Sequence, residues 1–243
     1  MNTGVHDASN LVWKLAGTIK GWYNTEVLES YAAERHAAAS LVVSVDRKAA
    51  AAVSGSIECG NSLESIMAQN MRLTTGFGVS YTASPIVAAR TTATTLVPGT
   101  RIPDASIKTL GPTSSIRLYD ILNHTNNRGK WMVLAFAGYP QSNKERMVVL
   151  REALARDNFL EARKDSVAMA TLIIGHVNSA WEAFDGTVPG RIYLDSDAIA
   201  HDRYCVYPEN GALVVVRPDG ILAHATGLDE LHEVEAFFQP ILV

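Results

Sequence analysis

Apolar residues recur at three- and four-residue spacing from the first turn of the chain. Val5, Ala8, Leu11, Val12, Leu15, Ala16 and Ile19 predict a helix over Asn2 to Lys20 with one buried face. Gly21 ends it, and Asn24 or Thr25 can cap a second, alanine-rich helix from about Glu26 to about Val53. A turn is expected over Ser54 to Gly60. Asn61 and Glu64 then form a capping-box pattern in front of a helix whose apolar stripe is Leu63, Ile66, Met67 and Met71. The first third of the chain is therefore predicted to be helical.

That periodicity stops between Gly76 and Thr100, where Gly76, Gly78, Ser80, Pro85 and the run TTATTLVPGT interrupt it. Beyond it, WMVLAFAG and VAMATLIIG read as buried strands, with an amphipathic helix over Ser142 to Arg156 between them. A strand at IYLD and a helical stretch around Ala198 to Tyr204 follow. A hairpin then runs from ALVVV through RPDG to ILAHA, and a helix over Leu228 to Phe238 closes the chain. Strand, helix, strand, then hairpin and helix is the order of a thioredoxin-like sheet covered by helices. The predicted fold class is α/β, an N-terminal helical segment followed by a thioredoxin-like α/β domain. The expected division is a helical unit over 1–90, a linker over 91–108 and the α/β domain over 109–243.

The chain has 243 residues, 47% of them hydrophobic and 19% charged, enough to bury a substantial core. A net charge of -4 and a pI near 6.0 give no footprint for nucleic acid. No apolar stretch approaches the roughly 18 residues a membrane span needs, and the first residues lack a leader pattern. Neither a nucleic-acid nor a membrane partner is expected, and the expected location is cytoplasmic. Cys59 and Cys205 have no CxxC or Cys/His spacing and are expected to be buried or free thiols. GFGVSY lacks the third glycine of a dinucleotide loop and lies outside a strand-to-helix turn. Where a dithiol enzyme carries CxxC after its first core strand, this chain reads FAGYPQSN. By itself it should run neither flavin, nicotinamide nor dithiol redox chemistry.

The opening MNTGVHDASNLVWKLAG resembles the third flavin-binding segment of the phenol 2-monooxygenase-type, FAD-dependent aromatic hydroxylases. LESYAAERHAAA is similar to that family's Tyr-x-x-Glu-Arg helix, carried here by Tyr31, Glu34 and Arg35. GFGVSYTAS and PGTRIPDASI look like the approach to the family's C-terminal domain, and YLDSDAIAHDRYCVYPENGALVVVRPDGILA resembles the end of its thioredoxin-like domain. The likeness covers essentially the whole chain and corresponds to the family's C-terminal half; the GxGxxG unit would precede Met1. It implies that Asn2, Thr3 and Gly4 are the remnant of a flavin-contacting segment, presenting helix N-terminal amides to the pyrimidine edge of the isoalloxazine. It also implies a C-terminal domain that helps dimerisation. A helix end contributes only about 0.3 to 1 kcal/mol towards an anion, so no bound cofactor is expected, with FAD only if an N-terminal half is supplied.

Asp195, Asp197, His201 and Asp202 have a composition that could suggest a metal site, but at a strand-to-helix turn they read as capping and solvated residues, and no metal is assigned. No histidine is spaced with a GxSxG serine. Glu34 and Arg35 are adjacent and cannot pair face to face, so each should meet another element. Trp13, Trp22, Tyr23 and Tyr31 could line a pocket for a phenolic ligand, although core packing suits most of them better. His6 and Asp7, which the resemblance places towards the space a flavin fills, are the candidates for moving a proton, with Tyr31, Glu34 and His36 as the fallback. Three readings follow. The first is a flavin-free protein of specialised metabolism that binds an aromatic or polyketide-type molecule and catalyses a cyclisation, dehydration or isomerisation. The second is a C-terminal fragment or split subunit of a phenol hydroxylase, partnered by an N-terminal flavoprotein half. The third is a non-catalytic dimerisation module. The opening methionine, read as a true start, favours the first. Helical surface that an N-terminal half would cover makes a homodimer the expected state.

Overall fold

The computed structural model describes residues 2–54, 62–111, 115–175 and 180–243. Cys59, Asn61 and nearly all of the turn expected over 54–60 lie outside them. The chain opens with α1 (Asn2–Ile19) and α2 (Thr25–Val53), followed by the shorter α3 (Leu63–Gln69) and α4 (Met71–Thr74). Asn24 occupies the cap position of α2, but its amide donates to Pro240 O at 2.9 Å instead of closing the helix end. The cap of α3 is Ser62, whose hydroxyl accepts from Ser65 N at 3.1 Å.

The apolar periodicity of α1 marks its outside, which corrects the expected buried face. Val5, Val12, Leu15 and Ile19 are exposed, whereas Asn10, Trp13, Lys14 and Gly17 are buried. Polar residues can face inward here because α2 and a distant hairpin supply partners for them. In the stripe of α3 and α4 only Ile66 is buried; Leu63, Met67 and Met71 are exposed. Gly17 permits a close approach: a Cβ there would fall 2.0 Å from the Tyr23 ring.

The remaining elements are β1 (Ser106–Thr109), β2 (Ser115–Arg117), α5 (Leu118–Asn123), β3 (Trp131–Gly138), α6 (Pro140–Asp157), α7 (Phe159–Ala162) and β4 (Val167–Ile173). After them come α8 (Ala180–Phe184), β5 (Arg191–Leu194), α9 (Ile199–Arg203), β6 (Ala212–Val216), β7 (Leu222–Thr226) and α10 (Leu231–Phe238). One mixed sheet has the order β2-β1-β5-β4-β3-β6-β7. β3 and β5 flank β4 in parallel, while β6 and β7 run antiparallel to their neighbours. Within it, β4-β3-β6-β7 with α6 and α10 is the strand-helix-strand, hairpin and helix series read from the sequence. β1 and β2 are additions, too short to write a period of their own, and β1 begins inside the 91–108 stretch.

Strand β3 is buried on both faces and alternates between two cores. Trp131, Val133, Ala135 and Ala137 join one; Met132, Leu134 and Phe136 join the other. The first core also takes in Trp13, Tyr23 and Val27, so the helical segment packs directly on the sheet. Trp13 meets Trp131 edge-on at 5.6 Å, and Trp131 meets Phe238 at 5.4 Å. The chain end closes the contact: Asn24 N donates to Ile241 O at 2.9 Å and Val243 N to Trp22 O at 3.1 Å. Along β7, Ala88 N, Thr92 N and Gly99 N donate to Ala223 O, Ala225 O and Leu222 O, covering an edge that would otherwise be open. Among the described residues no helix is long and apolar enough to cross a membrane.

Candidate functional site

The RPDG turn of the β6–β7 hairpin sets up a buried charge cluster. Pro218 suits the second place of a tight turn and Gly220 takes φ +78, so Gly220 N closes onto Arg217 O at 2.9 Å. Arg217 and Asp219 are thereby delivered to the helices. Arg217 is fully buried, with its guanidinium 5.4 Å from the Trp13 ring centre and 5.1 Å from that of Tyr81. It donates to Glu34 at 2.6 and 3.0 Å and to Asp219 at 3.0 and 2.7 Å. Lys14, also fully buried, donates to Glu34 and to Ser30 Oγ, both at 2.8 Å. Asn10 Nδ2 adds a third contact to Glu34 at 2.7 Å, and Asn10 Oδ1 has no partner among the described residues. Two cations and two carboxylates thus neutralise one another away from water. Burial by itself would raise the Glu34 carboxyl, but Arg217 and Lys14 outweigh it and hold it below its ordinary value. Burial brings the Lys14 ammonium down to about 8 against the pull of Glu34.

This cluster fixes α1, and with it the residues singled out in the sequence. Asn2 is the first helical residue, Thr3 is half-buried, and Gly4 is exposed with nothing within 4 Å of a Cβ position. His6 packs against Gly76, where a Cβ would come 1.8 Å from its Nε2. Burial, then the charges of Arg101 and Arg35, push the His6 imidazole below its ordinary value. Asp7 is engaged: Arg35 Nε donates to it at 2.6 Å, and Arg35 Nη1 donates to the Tyr81 hydroxyl at 2.9 Å. Glu34 and Arg35 therefore each meet another element: both reach α1, Glu34 also reaches Arg217 of the hairpin, and Arg35 also reaches Tyr81. The fallback set does not converge, because Glu34 lies in the cluster while His36 is exposed. Of the four aromatics weighed as a lining, Trp13 and Tyr23 are core residues, and Trp22 and Tyr31 are half-buried.

The acidic stretch at the end of β5 works locally. Asp195 accepts from Ala200 N at 3.1 Å, from His201 N at 2.9 Å and from His201 Nδ1 at 2.8 Å, closing the start of α9. His201 Nε2 in turn accepts from Gly138 N at 3.1 Å, so the ring carries its proton on Nδ1. Asp197 and Asp202 are exposed. Cys205 is an exposed free thiol. Neither Arg217 nor Asp219 was singled out in the sequence; the only signal was a turn motif that also occurs in purely structural hairpins.

Two family models match opposite ends of the chain. Residues 1–46 match an FAD binding domain, and residues 178–243 match the C-terminal dimerisation domain of phenol hydroxylase. The FAD-dependent monooxygenase hkm7 of Aspergillus hancockii is 27% identical over 99% of this chain and 48% of its own length. The phenol 2-monooxygenase fsqG of Aspergillus fumigatus is 26% identical over 98% of this chain and 44% of its own. The chain thus spans about half the length of these curated relatives. The crystal structure of the flavin-dependent monooxygenase PieE in complex with FAD and substrate is 20% identical and has a TM-score of 0.60. It covers 98% of this chain and 44% of that one, a likeness of fold.

Proposed function

We propose that this chain, which belongs to the phenol 2-monooxygenase-type FAD-dependent hydroxylases and corresponds to their C-terminal half, works as the flavin-edge and dimerisation half of such an enzyme. The observation that carries this reading is the two-faced α1. Its inner face is fastened by Lys14, Glu34 and Arg217, and its outer face leaves Val5, Val12, Leu15 and Ile19 exposed. A contiguous apolar face of that kind suits a partner, and an N-terminal flavin-binding half is the partner that the length of the relatives supports.

The described residues fit one part of FAD. The amides opening α1 at Thr3 and Gly4, beside a position bare of side chain, can receive a planar anionic edge. Nothing in the chain offers a glycine turn for the pyrophosphate, so the partner half has to hold the dinucleotide. Bound FAD would supply the oxygen-activating chemistry. The residues of this chain position and move protons: the Asp7, Arg35 and Tyr81 chain sets the height of the helix end, and His6 holds or accepts a proton beside it.

A second reading keeps the chain independent of any cofactor, converting an aromatic or polyketide-type molecule by cyclisation, dehydration or isomerisation. His6, whose imidazole is held below its ordinary value beside Gly76, is the candidate base for it, and Asp7, held by Arg35, is the weaker of the two candidates.

The test is reconstitution. The chain alone, incubated with excess FAD and gel-filtered, is expected to emerge colourless. Co-expressed with the N-terminal half of hkm7, it is expected to co-elute with a yellow partner. Stoichiometric flavin on the chain alone, or no co-elution, overturns the first reading. For the second, wild type and His6→Ala are incubated anaerobically with chelator and candidate phenols. A mass-neutral or dehydrated product lost in His6→Ala supports it, and a product heavier by one oxygen atom under air overturns it.

A further inference from the structure

An open cleft of about 800 Å³ lies between α4 and the chain from 95 to 104, apart from the start of α1. That volume falls within the roughly 300 to 1,000 Å³ of small-molecule sites. Leu41, Phe77 and Val97 line it while remaining 49%, 58% and 62% exposed, an unusual concentration of large apolar surface around one concavity. Arg72, Arg101 and Arg203 line it as well.

The charges in the cleft do not cancel. Asp104 is its one acidic residue, and it is already engaged by Arg117 Nε at 2.8 Å and by the amides of Ala105 at 3.0 Å and Tyr119 at 3.2 Å. Among the described residues none of the three lining arginines has a carboxylate within 4.0 Å. Arg101 donates to Asp219 O at 3.2 Å and Arg203 donates to Asp104 O. Arg101 is also hydrogen-bonded to the Tyr119 side chain. Each guanidinium has five N–H donors, so these bonds steady Arg101 and Arg203 and still leave donors free on both. The Tyr119 hydroxyl is spent on Ile102 O at 2.6 Å. Close behind, the Tyr204 hydroxyl is fully buried without a hydrogen-bond partner among the described residues.

We propose that this cleft binds an aromatic carboxylate, its ring system against Phe77, Val97 and Leu41 and its carboxylate on the arginine forks. Planar, paired acceptors match a guanidinium, and the apolar rim selects against a small hydrated anion such as free phosphate. The proposal does not rest on the flavin reading, since none of the lining residues lies in α1, although the charge of Arg101 also reaches His6.

The test is calorimetric titration of the full chain with 2-naphthoate, its uncharged analogue 2-naphthamide, and inorganic phosphate. One molecule of 2-naphthoate per chain is expected, with 2-naphthamide at least about 10-fold weaker, no phosphate binding, and affinity falling with salt. Arg72→Gln with Arg101→Gln should weaken 2-naphthoate about 10-fold or more and leave 2-naphthamide unchanged. Phe77→Ser should weaken both. Should the double variant fail to fold, Arg72→Gln alone, at an exposed position, keeps the comparison. No 2-naphthoate binding, equal affinity for acid and amide, or binding that survives the arginine variants but is lost in Val12→Glu on the face of α1 overturns the proposal.

Discussion

Single residues in this chain are decided by what lies opposite them. At Gly17, alanine would improve helix propensity by about 1 kcal/mol, yet its Cβ would sit 2.0 Å from the Tyr23 ring. Overpacking of that kind costs about 1 to 3 kcal/mol. Gly17→Ala is therefore expected to lower stability in urea denaturation, and a more stable variant would show that Tyr23 moves freely. Glu34 serves Lys14, Asn10 and Arg217 together, and Glu34→Gln leaves two buried cations short of a counter-charge. A loss of about 3 to 5 kcal/mol is expected, partly recovered when Lys14→Met is added. Because its carboxyl is held below the ordinary value of 4.5, Glu34 contributes stability that is present above 4.5 and lost as pH falls through the folded-state value. The acid limb of a melting-temperature profile should thus be shallower in Glu34→Gln. The adjacency of Glu34 and Arg35 made it readable that each meets another element. Which element was not readable, since Arg217 is 183 positions away from Glu34.

At the scale of elements, the strands were the most legible. β3 is buried on both faces, so every one of its residues must be apolar or small, and the run WMVLAFAG says so directly. Helix α1 shows the opposite case, since its apolar stripe points outward while Lys14 and Asn10 point inward. Periodicity reports that a helix has two unlike faces; the partners decide which one is inside. Val12→Glu or Leu15→Glu should therefore change stability by no more than about 0.5 kcal/mol. Trp13→Ala, by removing the ring that contacts Trp131 and Arg217, should cost about 3 to 5 kcal/mol. Thermal melts of the three variants rank them, and a glutamate variant that unfolds would place the stripe in the core after all. β1 and β2, of four and three residues, carried no usable pattern.

For the whole molecule, the match of residues 178–243 to a dimerisation domain and the exposed face of α1 describe two different surfaces. Light scattering at micromolar concentration should return twice the 26.3 kDa chain mass. Val12→Glu should keep that mass while losing co-elution with an N-terminal half. A monomer in wild type, or one produced by Val12→Glu, would assign self-association differently. The sequence alone determined the series from β3 through α6 and β4 to the β6–β7 hairpin and α10, because continuous apolar runs and turn residues are local requirements. It also determined the kinship, because MNTGVHDASNLVWKLAG is a specific string. Only the tertiary structure decided which face of α1 is buried, that Asp7 is held by Arg35, and that a turn arginine crosses to a helix carboxylate. It also decided that three arginines and three apolar side chains share one cleft. Each of these depends on residues far apart in the chain, where burial and charge pairing are settled by neighbours that no local pattern names.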